Sequence, residues 1–556
     1  MVKNAFYISI SFFLLLAGSS NAQSLPVGML VLEDAHRREQ LLGHTDSLVS
    51  FTIRPLFTGS IEMDKGLVAD TVREDDSFTK FSTGGAFANG TGIIQLLPAT
   101  LNHQYNSRIP YGWNDGSMIQ AAGDQTQLIL GAYMKVGPVS LQLKPELISA
   151  ENKDYEGLPT DHADIVWAKY YAAYFNVTDI PERFGEKAYT KLFWGQSSLR
   201  VNFDPVSVGV SSENLYWGPG MRGSLIMSNN APGFKHITVN TTRPVQTSIG
   251  SFEAQMVVGK LENSDFLPPE PNRIYEGRSL YIPKDDDARY LSGLVLTYNP
   301  KGFPGLFLGA SRTSQVYNKN MGTKAGDFVP LLQLFQKNDP SEQREYLSSF
   351  FFRWLWKEEM AEIYGEYGHN APVKLKNFLL DPDVTASFLF GLRKLVPLNK
   401  RSREFLQLGM EFIQLQQATV PTLGGWYTSS KIRQGYTNGG QLMGAGIGPG
   451  SNLQSLNISW VKGIKQIGFQ FERYLHNNDL FYQVVEEVKD YRKHWVDMSY
   501  TLLARWDFKN LIASADFTMA RTMNYHYVLF NRPPEYFVPG WDFLNYQLKL
   551  GITYRF

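Results

Sequence analysis

The sequence predicts an all-β protein, a transmembrane antiparallel β-barrel with short N-terminal or plugging helices. Three observations carry this reading. An export signal opens the chain, no later window holds a second long apolar run, and apolar and polar residues alternate over segments too long for a soluble sandwich. Composition agrees, since 36 Phe, 29 Tyr and 11 Trp beside 48 Gly suit strands and turns rather than helical bundles.

At the N-terminus, Lys3 supplies a basic start, an apolar run extends from Ala5 to Ala17, and Ser20-Asn21-Ala22 places small residues before Gln23. This is the form of a secretory signal peptide over residues 1–22, cleaved after Ala22. A membrane anchor would need a run of ~20 residues, and this one is shorter. One barrel domain is expected over 23–556, because no solenoid or propeller repeat and no low-complexity linker divides it. Val31 to Leu42, with Glu33 and Asp34 early, Arg37 and Arg38 later and Gly43 as a stop, reads as a short periplasmic helix before the first strand. Asp164 to Phe175, bounded by Asp179-Ile180-Pro181, reads as a second. Each helix either plugs the periplasmic mouth or packs on a rim.

The strands are read from their two faces. In a lipid-embedded barrel each strand has one face in hydrocarbon and one in the lumen. Tyr546, Leu548, Leu550, Ile552, Tyr554 and Phe556 alternate with Gln547, Lys549, Gly551, Thr553 and Arg555. The terminal aromatic Phe556 resembles the signal by which the barrel-assembly machinery recognises bacterial outer-membrane barrels. Val496 to Phe508 repeats the pattern, with only Leu503 breaking the polar set, and so do Leu406 to Phe412, Val139 to Leu147 and Phe350 to Trp356. Alternation persists for about nine to thirteen residues, against ~5 to 6 for soluble strands. Charged residues on the inner face would be rejected by a dry sandwich core and are accepted by a polar lumen.

Several function classes fall away. Balanced charge, 53 basic and 53 acidic residues, gives no field directed at nucleic acid. Absence of cysteine removes thiolate metal sites and thiol nucleophiles, and the nine histidines include no helical zinc spacing, so neither metal nor cofactor is expected. Gly444 to Gly450 resembles a dinucleotide loop until Pro449 falls where the third glycine belongs, and a bend or extended loop fits better. Tyr474-Leu475-His476-Asn477-Asn478 faintly suggests an outer-membrane phospholipase, but Asn478 has no hydroxyl to activate. A glycosidase carboxylate pair cannot be picked out by sequence, and no enzyme is expected.

Sugar binding uses aromatic faces together with planar hydrogen-bonding groups. Three segments collect such residues: Tyr111 to Gly116 with Trp113, Asn114 and Asp115; Glu213 to Arg222 with Tyr216 and Trp217; and Trp426-Tyr427 with Arg433 and Tyr436. The same residue types build interfacial aromatic girdles and structural turns.

The second of these segments also carries a resemblance. Ser211 to Gly220, continuing through Gly223 to Pro232, is similar to the central signature of the capsule assembly Wzi family. Tyr111 to Met118, Gln142 to Asn152, Gly195 to Ser198 and Gln434 to Asn452 resemble its Bacteroidetes-type form, so the likeness runs from about Glu33 to Phe556. The resemblance implies an outer-membrane barrel of about 18 strands, occluded by loops and a helical element. It also implies a surface lectin, a monomer in outer-membrane lipid, that helps assemble or attach capsular or extracellular polysaccharide. The alternative is a porin-like or polysaccharide-export channel.

Overall fold

The computed structural model describes residues 24–45, 48–57, 84–87, 91–322, 343–370, 386–399, 401–417, 425–485, 493–508, 510–527, 538–539 and 542–556; the signal-peptide segment lies outside them. Eighteen antiparallel strands form a closed ring in which chain neighbours pair with one another. The ring closes where Phe543–Tyr554 pairs with Gly92–Asn106, Gln547 opposite Asn106 and Tyr554 opposite Ala99. Two strands are interrupted midway: Val139–Leu143 continues as Glu146–Ala150, and Tyr189–Phe193 continues as Ser198–Phe203.

Tight turns gather at one rim, where Val136 faces Val139, Phe203 faces Val206 and Lys462 faces Lys465. Longer connections such as 151–188 and 415–451 leave the other rim. Outer-membrane barrels keep short turns in the periplasm and long loops outside, which fixes the orientation.

The alternation seen in the sequence separates lipid from lumen. Leu502 is 61% exposed and Ile552 46%, whereas the inward Gln547, Lys144, Glu146 and Arg353 are all buried. Replacing Leu502 with arginine is expected to destabilise the barrel by ~2–4 kcal/mol, because the charge enters hydrocarbon. Equilibrium denaturation in lipid vesicles measures this loss, and an unchanged midpoint would contradict the assigned face.

Burial of the inner face means that the lumen is filled. Helix α1, Leu30–Leu41, lies inside the periplasmic end, where Leu41 packs with Leu355, Leu395, Phe405 and Val461 of the wall. Charge holds it as well. Glu362 on the wall meets Arg37 of α1 at 3.0 Å, Arg353 at 2.6 Å and Arg393 at 2.9 Å. Arg393 also reaches Asp34 at 2.6 Å, and Arg353 donates to Gln40 at 2.7 Å and to the Ser50 carbonyl at 3.0 Å. Burial pulls the Arg37 guanidinium down, yet Glu362 outweighs it and leaves the pKa above its ordinary value.

Above α1, loops fold inward. Tyr216-Trp217 pairs with Ile53-Arg54, and one buried cluster joins Trp113, Trp217, Leu225, Trp426, Tyr427, Tyr436 and Ile447. The second predicted helix, α2, spans Asp164–Tyr170 and runs on as a π-helical turn, Tyr171–Phe175. It belongs to the 151–188 connection at the outer rim and does not plug the periplasmic mouth. Hydrophobic periodicity specifies a helix but not the rim on which its loop falls.

Candidate functional site

At the outer rim the loops enclose an aromatic chamber of about 190 Å³. The α2 turn supplies Tyr170 and Tyr174, stacked at 5.6 Å. Trp495 and the turn Tyr525–Tyr527 come from other loops, and Trp113, Tyr474 and Ile447 lie among the lining residues on the lumen side. His476 stacks on Trp495 at 3.7 Å with 6° between planes and pairs through Nε2 with Asp497 at 2.8 Å.

Backbone strain helps position these groups. Asn524, His526 and Tyr527 hold φ of 50°, 51° and 57°, in the left-handed region, at a cost of order 1–3 kcal/mol per non-glycine residue. Tyr527 is fixed there by its hydroxyl, which donates to the carbonyls of His476 and Asn477 at 2.7 and 2.9 Å. The side-chain nitrogen of Trp495, Nδ1 of His526 and Oδ1 of Asp497 are buried and have no hydrogen-bond partner among the described residues. The chamber wall thus offers flat aromatic faces, with these polar atoms buried behind them, and such faces suit the C–H surface of a sugar ring.

The chamber is weakly charged. Burial pushes Glu182 up to about 7, opposed by the Leu158 N–H that donates to it at 2.8 Å. His526 approaches Glu182 at 3.4 Å and is driven down to about 3, first by burial and then by His476. Because the folded carboxyl holds its proton more tightly than an unfolded glutamate, its contribution to stability is present below about pH 4.5 and is lost as pH rises through about 7. Protection of amides in the 151–188 loop, exchange being corrected for its intrinsic rise with pH, is therefore expected to be greater at pH 5 than at pH 8. Glu182→Gln should flatten the difference, and an identical slope in that variant would exclude Glu182 as its source.

The structure brings the three sequence-selected segments together, but mostly as scaffold. Trp217, Trp426, Tyr216, Tyr427 and Tyr436 are nearly or fully buried. Trp217 donates to Gln255 at 2.8 Å, Tyr216 lies 3.7 Å beneath the Arg54 guanidinium, and Tyr427 stacks on Tyr436 at 5.9 Å. Glu213 is buried against Arg200 at 2.6 Å. Arg433 ties down outer loops through the carbonyls of Asn176, Ile282 and Pro283. Arg222 pairs with Glu472 at 2.8 Å, above the Trp113 ring. Trp113 lines the outer chamber, and Asn114 and Asp115 line a cavity on the periplasmic side. Of the residues that sequence reading missed, Tyr155, Tyr170 and Tyr174 come from the one 151–188 loop, and Trp495 and Tyr525 come from two others; Tyr525-His526-Tyr527 and Tyr170-Tyr171 leave a local aromatic signal.

Fold and site together define a plugged outer-membrane β-barrel whose loops enclose an aromatic chamber. Residues 113–527 match the family described as capsule assembly protein Wzi. The chain belongs to that family and is an outer-membrane protein. Among solved structures it is similar to Wzi of Escherichia coli, an outer-membrane protein involved in group 1 capsule assembly and a carbohydrate-binding β-barrel. The TM-score is 0.60 at 12% identity, covering 96% of this chain and 99% of that one. Acinetobacter baumannii OccAB1 gives a TM-score of 0.40 at 10% identity, covering 85% of this chain and 99% of that one. Pseudomonas putida OprB gives 0.37 at 11%, covering 83% and 94%. Comparison with curated protein sequences returns no match.

Proposed function

We propose that this protein binds polysaccharide at its outer face and helps assemble or attach capsule or exopolysaccharide there, without catalysing a reaction. The observation that carries the reading is the outer chamber, where the rings of Trp495, Tyr170 and Tyr174 line one cavity. Membership of the capsule assembly family supports it. Individually weak contacts add along a repeating polymer, so avidity exceeds that of one site. Of the sequence-selected residues, Trp113 acts directly in the chamber and Arg433 holds its loops. Asn114, Asp115, Glu213, Tyr216, Trp217, Arg222, Trp426, Tyr427 and Tyr436 support it from within the lumen. The protein acts as a monomer in outer-membrane lipid, inserted by the barrel-assembly machinery through the strand ending at Phe556.

Trp495→Ala removes one stacking face and is expected to weaken polysaccharide binding by about 1–3 kcal/mol, by analogy with aromatic stacking measured on other planar ligands. Binding of the cell's own purified capsule to detergent-solubilised protein reads this directly. Gene deletion should shift polymer from the cell surface to the medium, and undiminished surface staining would count against the assignment. A porin or export channel needs a continuous lumen, and α1 with the inward loops gives that alternative no particular support.

A further inference from the structure

One stretch of the wall is bridged by side chains instead of backbone. Tyr189–Phe193 pairs with Glu146–Ala150 along one edge, and no described strand pairs with its other edge. The ladder resumes nearer the periplasm, where Ser198 meets Gln142 on one side and Ser211 on the other. Across the break stands the outer end of Lys235–Thr241, itself paired with Gly250–Leu261. The lipid side of this break is unusually bare. Leu192 is 69% exposed and Trp194 64%, both more than Leu502, and Ile237 is 57% exposed.

Toward the outer rim the same face turns basic. Ile237 lies opposite Val258, and the next outward pair is Lys235 opposite Lys260, both exposed, while His236 and Leu261 point inward and are buried. Like charges directly opposite across an antiparallel pair repel, so strand pairing gains nothing from them. Glu262 is the one carboxylate in reach, with Oε1 3.6 Å from Lys235 and Oε2 3.8 Å from Lys191. Both contacts are long and well exposed, and Lys260 has no ion pair among the described residues. Three ammoniums thus gather around one carboxylate at the outer end of a bare apolar strip. That two-part surface complements an amphiphile with an anionic head. A phosphate monoester presents enough acceptor oxygens to engage separate ammoniums at once.

We propose that this break in the wall is a binding site for a phosphate-bearing lipid of the outer leaflet, its phosphate on Lys235 and Lys260 and its acyl chains along Leu192, Trp194 and Ile237. The site lies on the outside of the barrel and does not depend on the outer chamber.

Native mass spectrometry of the intact barrel, released from neutral detergent after incubation with dioleoylphosphatidic acid, tests this. Dioleoylphosphatidylcholine carries the same chains without net charge, and glycerol phosphate carries the head without the chains. Phosphatidic acid should remain as a discrete adduct, and neither control should at the same concentration. Lys235→Gln combined with Lys260→Gln should weaken retention by at least about tenfold, the expectation for two lysines facing an anionic lipid. Lys260→Gln alone should weaken it by a smaller factor, which keeps the test open should the double variant fail to insert. Lys465→Gln, at the periplasmic rim beside Trp506, should leave it unchanged. Absence of the adduct on the wild type, equal retention by the double variant, equal retention of phosphatidylcholine or an equal loss on Lys465→Gln would each overturn the assignment and leave ordinary lipid contact only. Equal binding of glycerol phosphate would overturn it too, since the chains would then contribute nothing.

Discussion

Glu362→Gln is expected to destabilise the plugged barrel by about 3–5 kcal/mol and to make a silent barrel conduct. The substitution keeps the shape and removes the charge shared by Arg37, Arg353 and Arg393. Three buried guanidiniums would then face one another, with Asp34 already shared by Arg393 and Arg38 and Glu33 already paired with Arg54. Since Arg37 belongs to α1 and its two companions belong to the wall, the cheapest relief is for the helix to leave. Denaturant midpoints should fall, and planar bilayers should record steady openings in the variant where the wild type stays quiet. An unaltered midpoint together with continued silence would mean that α1 is held by its apolar contacts instead.

The second large effect is expected at Trp217. This fully buried ring donates to Gln255 and presses against Gly293, where an added Cβ would meet it at 2.7 Å. Truncation to alanine leaves a large cavity and an orphaned amide, a loss of about 3–5 kcal/mol. Thermal unfolding and proteolysis of the 212–234 segment measure it. The outcome also separates scaffold from ligand contact. If Trp217 were a sugar platform, binding would fail while stability held; as a lumen strut, stability fails first.

The wall was legible because lipid imposes a simple rule on every strand. Leu502 beside Thr501, and Ile552 beside Thr553, report opposite solvents at adjacent positions, and that signal survives in a single sequence. What fills the lumen was not legible in the same way. The sequence marks Val31 to Leu42 as a short helix without showing what its polar side meets, and His36, Arg37 and Gln40 are buried inside the barrel. The lumen of a wide barrel must be closed by groups that satisfy inward carboxylates, amides and guanidiniums, so its filling is rich in aromatics, Asn, Glu and Arg. That is also the composition of a sugar site, which explains why Trp217, Trp426 and Tyr427 were singled out. The outer chamber joins the 151–188 loop, with Tyr155, Tyr170 and Tyr174, to Trp495 and Tyr525 far along the chain, and no local pattern links these segments.

The clasp on α1 also dictates an order of events during biogenesis. Arg37 and Glu362 lie 325 positions apart, so the helix is translated and exported long before the strands that hold it exist as a sheet. Arg37 has no buried counter-ion until the paired strands that carry Arg353, Glu362 and Arg393, near the middle of the sheet, are in place around it.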